Sequence, residues 1–152
     1  MHGSKKGKTW ITPDATYNYE NEQNLPQNSD FPELIPGCAI FSNNAVKILN
    51  PFLKKSGEIL PISIDGKTDE YFIFNCTTVL DVLDKKKSTF KTFNSSGRIM
   101  DISKFFLKKD KITSDIFRLK DIKEMGTLFV SQRVHDIIKK SDLKGFILRR
   151  VS

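Results

Sequence analysis

The sequence predicts an α+β fold: a mainly antiparallel sheet with two similar strand-helix-strand units bracketing a central hairpin region. Three observations predict it. An apolar run that stops at a serine and passes into helical periodicity occurs twice, around Ser42 and around Ser131. Between the two copies, apolar and polar residues alternate with the period of two that half-buried strands require. Within that middle region, Asn94-Ser95-Ser96-Gly97 supplies residues that tolerate positive φ in a hairpin turn. About six or seven strands and two helices result, the makeup of an α+β domain.

The chain divides into an N-terminal arm, residues 1–30, expected to be partly ordered, and a single domain over 31–152. A length of 152 residues suits one domain with a core of its own. The arm is polar and aperiodic except for Trp10, Ile11, Tyr17 and Tyr19, whose spacing suggests rings laid on the body. Residues 21–36, with three prolines, read as a linker.

In the first unit, Ala39-Ile40-Phe41 reads as a strand and Ser42 as a helix N-cap. Ala45, Val46, Ile48 and Leu49 form one helix face, a period that Pro51 is expected to break. Gly57 turns the chain into a strand at Ile59-Leu60-Pro61-Ile62. After a turn at Asp65–Thr68, Tyr71–Phe74 reads as a buried strand. Val79 to Leu83 extends that strand or forms a helical turn; periodicity does not decide between them. Lys85–Lys87 makes an exposed turn, and Thr89–Phe93 with Arg98–Ile102 makes the hairpin. Phe105, Phe106 and Leu107 lead into the charged turn Lys108–Lys111. Ile116, Phe117 and Leu119 offer a further strand, with Arg118 on its opposite face. The second unit repeats the first: Phe129-Val130 as strand, Ser131 as cap, Val134, Ile137 and Ile138 as helix face. Lys139 and Lys140 close that helix, Gly145 reverses the chain, and Phe146-Ile147-Leu148 reads as a buried strand.

Catalytic patterns are missing. His2 lies in the polar front of the arm, and His135 is turned off the apolar face of its helix, toward solvent or a partner. Gly66-Lys67-Thr68 ends like a phosphate loop but lacks the upstream glycine and the strand-to-helix junction. Asp81 and Asp84 flank the turn at Lys85 rather than forming an acid/base pair. Cys38 and Cys76 lack metal-site spacing and read as reduced, small buried hydrophobes, although a disulfide between them is an alternative. The reading is therefore of a protein that is not an enzyme and uses no cofactor or metal. No apolar run approaches the ~18 residues of a membrane span, and no segment resembles a secretory leader, so the expected location is the cytoplasm.

Charge points to binding. The net charge is +7, and residues 1–40 are net acidic, which leaves +9 on the remainder. Such a body attracts acidic partners. The segment 104–123 holds seven basic residues against three acids, interleaved with Phe105, Phe106 and Phe117. The candidate partner-binding residues are Lys104, Lys108, Lys109 and Lys111 there, with Arg133, His135 and Lys139 on the second helix. Cations among aromatics also suit single-stranded nucleic acid, which makes a basic nucleic-acid-binding module the second reading. The simpler account places the aromatics in the core and the lysines on a solvated rim.

Taken in order, PELIPGCAIFSNNAVKILN, EILPI, DEYFIFNCTTVLDVLDKKKSTF and IFRLKDIKEMGTLFVSQRVHDIIKKSDLKGFILRR resemble immunity protein family eleven. The resemblance spans roughly residues 30–151. It implies a bacterial cytoplasmic protein, encoded beside a polymorphic or contact-delivered toxin, that neutralises this cognate toxin by binding it. It implies no catalytic residues. Because the body is basic, the toxin is expected to offer an acidic face, or to be bound away from any nucleic-acid groove.

Overall fold

A helix leaves its first backbone N–H groups without partners, and a serine at its threshold can satisfy one of them. Ser42 and Ser131 both do so, accepting from the Ala45 N–H at 3.0 Å and the Val134 N–H at 3.4 Å. Each hydroxyl in turn donates to an aspartate, Ser42 to Asp30 and Ser131 to Asp115, whose main-chain carbonyls also accept the two serine N–H groups. The echo between the two units thus extends to the groups that hold the caps.

The computed structural model describes residues 4–16, 29–32 and 37–151. Its elements, in order, are β1 (Asp14–Ala15), β2 (Ala39–Ser42), α1 (Asn43–Ser56), β3 (Gly57–Ile64), β4 (Lys67–Cys76), β5 (Val79–Leu80), β6 (Thr89–Thr92), β7 (Ile99–Lys104), β8 (Ile116–Leu119), β9 (Phe129–Val130) and α2 (Gln132–Lys140). One sheet runs β1-β3-β4-β2, a second β5-β8-β9, and β6 pairs with β7 alone. Pairing is antiparallel except at β1–β3 and β5–β8. The α+β class and mainly antiparallel sheet are as expected. The undecided stretch 79–83 is strand at β5, with Leu83 bridged to Leu107.

Side-chain alternation sorts the core. Ala39, Phe41, Phe74 and Cys76 turn to the face covered by Ala45, Leu49, Phe52 and Leu53 of α1, and Val134 and Ile138 of α2 join them. Ile40, Leu60, Ile62, Ile64 and Ile73 turn to the other face. A third cluster gathers Val82, Leu83, Ile102, Phe117, Leu119, Ile122 and Phe129 beneath β8 and the hairpin. Both cysteines are free thiols. Burial above all pushes the Cys76 thiol up from its ordinary value, which keeps it protonated and unreactive.

Three local readings change. Pro51 lies inside α1 and does not end it. Its ring is on the exposed side, while Phe52 and Leu53, both buried, hold the last turn against the sheet. Phe146-Ile147-Leu148 lies outside any strand: Phe146 stacks on Phe31 at 5.0 Å, and Ile147 is 84% exposed. Gly57 is not a turn residue but the first residue of β3, opposite Cys76.

The arm is clamped where it is described. The Lys6 and Gly7 N–H groups donate to the Glu58 carboxylate at 2.8 and 3.1 Å, and the Asn75 amide donates to the Ser4 carbonyl at 2.8 Å. Trp10 donates its indole N–H to the Pro61 carbonyl at 3.0 Å and packs against the Ile40 cluster, as its aromatic character suggested. Ile11 remains exposed, and Tyr17, Tyr19 and most of the linker 21–36 lie outside the described residues.

The Lys6 N–H above all, with further hydrogen bonds from Asn75 and Gly7, holds the Glu58 carboxyl below its usual range. A depressed carboxylate pKa stabilises the clamp fully above the ordinary glutamate value, and that contribution is lost as pH falls through the lowered one. Acidification to below the ordinary glutamate range is therefore expected to shift Trp10 emission to the red. Trp10 is the chain's single tryptophan, so the signal reports the arm alone. Glu58→Ala should show the same emission at neutral pH with unchanged far-ultraviolet circular dichroism; wild-type emission from that variant would exclude the clamp.

Candidate partner-binding surfaces

The seven candidate residues fall on two structural supports. Lys104 ends β7, and its ammonium lies 5.0 Å from the centre of the Phe106 ring. Lys108 is half-buried where its N–H donates to the Val82 carbonyl at 2.8 Å, and Lys109 and Lys111 are exposed on a short 3₁₀ turn. Arg133, His135 and Lys139 belong to α2. Arg133 lays its guanidinium over the Phe52 ring at 5.3 Å, tying α2 to α1. His135 is half-exposed, its Nδ1 2.9 Å from Asp136 and 3.1 Å from Gln132. Lys139 is exposed near the helix C-terminus, where a cation complements the helix dipole.

The aromatics of 104–123 are mostly core. Phe117 is buried and stacks on Phe129 at 5.6 Å, and Phe105 meets Phe129 edge-on at 5.5 Å. This removes two of the three rings from any stacking platform. Arg118 stands on the face of β8 opposite Phe117 and Leu119, as the period of two requires, but it is buried too, because that face, which also carries Ile116, is covered by the cluster around Phe74 and Val134. The adjoining charges are largely paired: Lys85 with Asp121, Lys120 with Asp81 at 3.1 Å, and Lys87 with Asp84 at 3.9 Å. The Lys120 hydrogen bond and charge hold Asp81 below the usual carboxylate range. Asp84 turns its other oxygen to the Lys86 and Lys87 N–H groups, closing the turn it was expected to flank.

The periodicity that located the hairpin did not show how much of it would be uncovered. Phe90, Ile99 and Ile102 turn inward to the Val82–Phe117 cluster. Phe93 and Met100 are 49% and 42% exposed, and Lys91 is exposed with them. The register shifts twice along the pair, between Thr89 and Phe90 and between Lys91 and Thr92. Such shifts bend and twist a ribbon away from simple alternation.

Cavities lined by other described residues lie elsewhere. One of 390 Å³ at the end of α1 is lined by Phe52, Lys55, Ser56, Thr78 and Ser114, among others. Its buried hydroxyls satisfy one another: Ser56 meets Ser114 at 3.2 Å, and Ser114 donates to the Ile116 carbonyl at 3.0 Å. Another, of 330 Å³, opens beside Asp30, Ser42, Asp69 and Glu70. Asp30 is committed to the α1 cap, and Glu70 pairs with Lys67 at 3.7 Å. Among the described residues, no group of three His, Cys, Asp or Glu side chains could hold a metal, and no helix is long and apolar enough to cross a membrane.

The order of these elements, from the middle of β3 to the end of the chain, decides the kinship. The model of the Immunity protein family (Imm11) matches residues 62–152. The chain belongs to that family. The Imm11 match takes in β4, the hairpin, β8, β9 and α2, and it begins later than the resemblance that reached back to residue 30. β2 and α1 precede it, although they supply much of the core against which the matched part folds. A comparison with curated proteins finds no match.

Proposed function

We propose that this Imm11 protein neutralises a cognate bacterial toxin in the cytoplasm by binding it stoichiometrically, without catalysis. Membership of the immunity family carries the proposal. The charge distribution supports it: a body at +9 outside residues 1–40 suits a toxin surface of opposite sign. Several polar groups that line the two cavities serve the fold itself: Asp30 and Ser42 in a helix cap, Ser56 and Ser114 in a hydroxyl pair, and Glu70 in an ion pair. The toxin face is acidic, or lies away from a nucleic-acid groove. A complex in which the lysines of 104–123 meet a toxin with a pI well above 9 would contradict this.

Co-expression with the products of the flanking genes tests the role. One of them is expected to arrest growth unless this protein is present. In vitro, protection should be complete at about one equivalent of the immunity protein, with saturation at a 1:1 ratio. Complete protection at a small fraction of an equivalent would show turnover, and toxicity undiminished by the protein would remove the immunity role.

A further inference from the structure

The outer face of the β6–β7 hairpin combines uncovered apolar side chains with unbalanced positive charge. Phe93 and Met100 lie close together along the ladder, since the Phe93 N–H donates to the Arg98 carbonyl at 2.9 Å and Met100 follows two residues on. Single exposed apolar side chains are ordinary, whereas an aromatic ring and a flexible thioether on one projecting ribbon make a contact surface. Around them, residues 86–104 carry five basic residues and one acid. That acid, Asp101, faces Lys91 across the pair. Lys86 and Lys91 have no ion-pair partner among the described residues, and Lys104 is spent only on the Phe106 ring.

The geometry points to this face as the docking site of an acidic protein partner, with Phe93 and Met100 entering an apolar recess whose carboxylate rim meets Lys91 and Lys104. The partner's sign follows from the charge of the hairpin, because like charges brought together across an interface are repelled. Recognition runs through side chains rather than strand addition, since the hairpin's lysines and register shifts guard its edges against pairing with another strand. Nucleic acid fits less well. Stacking along a single strand uses successive exposed rings, and here Phe90 is half-buried while Lys104 occupies the face of Phe106. The inference rests on the toxin-neutralising reading, and the acidic partner is then the toxin itself.

Calorimetric titration of the full chain with each purified flanking gene product, at low and high salt, tests it. Phe93→Ser with Met100→Ser is expected to weaken binding about 30-fold or more, as loss of a central anchor does. Its melting temperature should stay within about 2 °C of wild type, because both side chains already meet solvent. Lys91→Glu should weaken binding at low salt and flatten its salt dependence. Ile147→Ser, which removes an apolar side chain exposed elsewhere, should bind as wild type does. Binding by the double variant within about threefold of wild type would take the hairpin out of the interface and leave the immunity role standing. Equal weakening by Ile147→Ser would also overturn the assignment. Failure of the wild type to bind any flanking product would defeat both readings, and wild-type binding of a labelled oligonucleotide that the double variant loses would replace the protein partner with nucleic acid.

Discussion

Phe74→Ala is expected to destabilise the protein by about 4 kcal/mol, within the usual range for removing a buried phenylalanine. Phe74 is 1% exposed in the central strand β4, where its ring meets Phe41 edge-on at 5.9 Å. It packs in the cluster that joins α1, α2 and the first sheet, so its removal leaves a cavity bounded by three elements. None of them can close it without breaking strand pairing or a capped helix. For a chain of this size such a loss lowers the melting temperature by roughly 10 °C. Thermal or urea unfolding measures it directly, and a loss below about 1.5 kcal/mol would mean that the site collapses as readily as a surface one.

Gly57→Ala comes next, at about 3 kcal/mol, the upper end of what overpacking costs. Backbone conformation is not the reason, because Gly57 is fully extended. A Cβ placed there would come within 2.2 Å of the Asn75 carbonyl oxygen, with main-chain atoms of Asn75 and Cys76 at 2.9 Å. Main chain cannot swing aside as a long side chain can, so β3 and β4 must separate at the start of their ladder. The same point receives two further bonds, from the Thr77 and Thr78 N–H groups to the Ser56 carbonyl at 3.0 and 3.1 Å. Faster amide exchange at Thr77 and Thr78, together with a lowered urea midpoint, is the expected signature. A variant with unchanged midpoint and exchange would show that the strands absorb the methyl group.

Features written in local chemistry could be read from the sequence. Ser42 and Ser131 announced their helices because a cap needs only a hydroxyl and the turn that follows it. The hairpin was legible for the same reason, through its alternation and its Asn- and Gly-containing turn. What could not be read depended on distant segments. Pro51 looks like a stop because helix propensity is local, but burial of Phe52 and Leu53 carries α1 past it. Phe146 and Leu148 resemble strand residues, although Phe146 is held by Phe31, far away in sequence. Alternation placed Arg118 correctly by face but not by environment, since it does not reveal that both faces of β8 are covered. The candidate surface was half visible. Lys104 was among the residues singled out but Lys91 was not, and the exposure of Phe93 and Met100 depends on which side of the ribbon the body lies.

Asp30 makes four bonds that lie at opposite ends of the chain. Two go to Ser42, and two go to the main chain of Lys144, whose carbonyl and N–H lie 2.9 and 2.8 Å from its N–H and carboxylate. On a ribosome these partners appear far apart in time. The first sheet and α1 can assemble while later residues are still being added, but Asp30 acquires its second pair of bonds only when Lys144 emerges. Closing so long a loop is entropically slow, and until it closes the Phe31, Phe41 and Phe146 rings are not gathered. Completion of this packing is thereby tied to the late emergence of Lys144 and Phe146, and a nascent chain stalled before that point presents uncovered aromatic rings to chaperones and proteases.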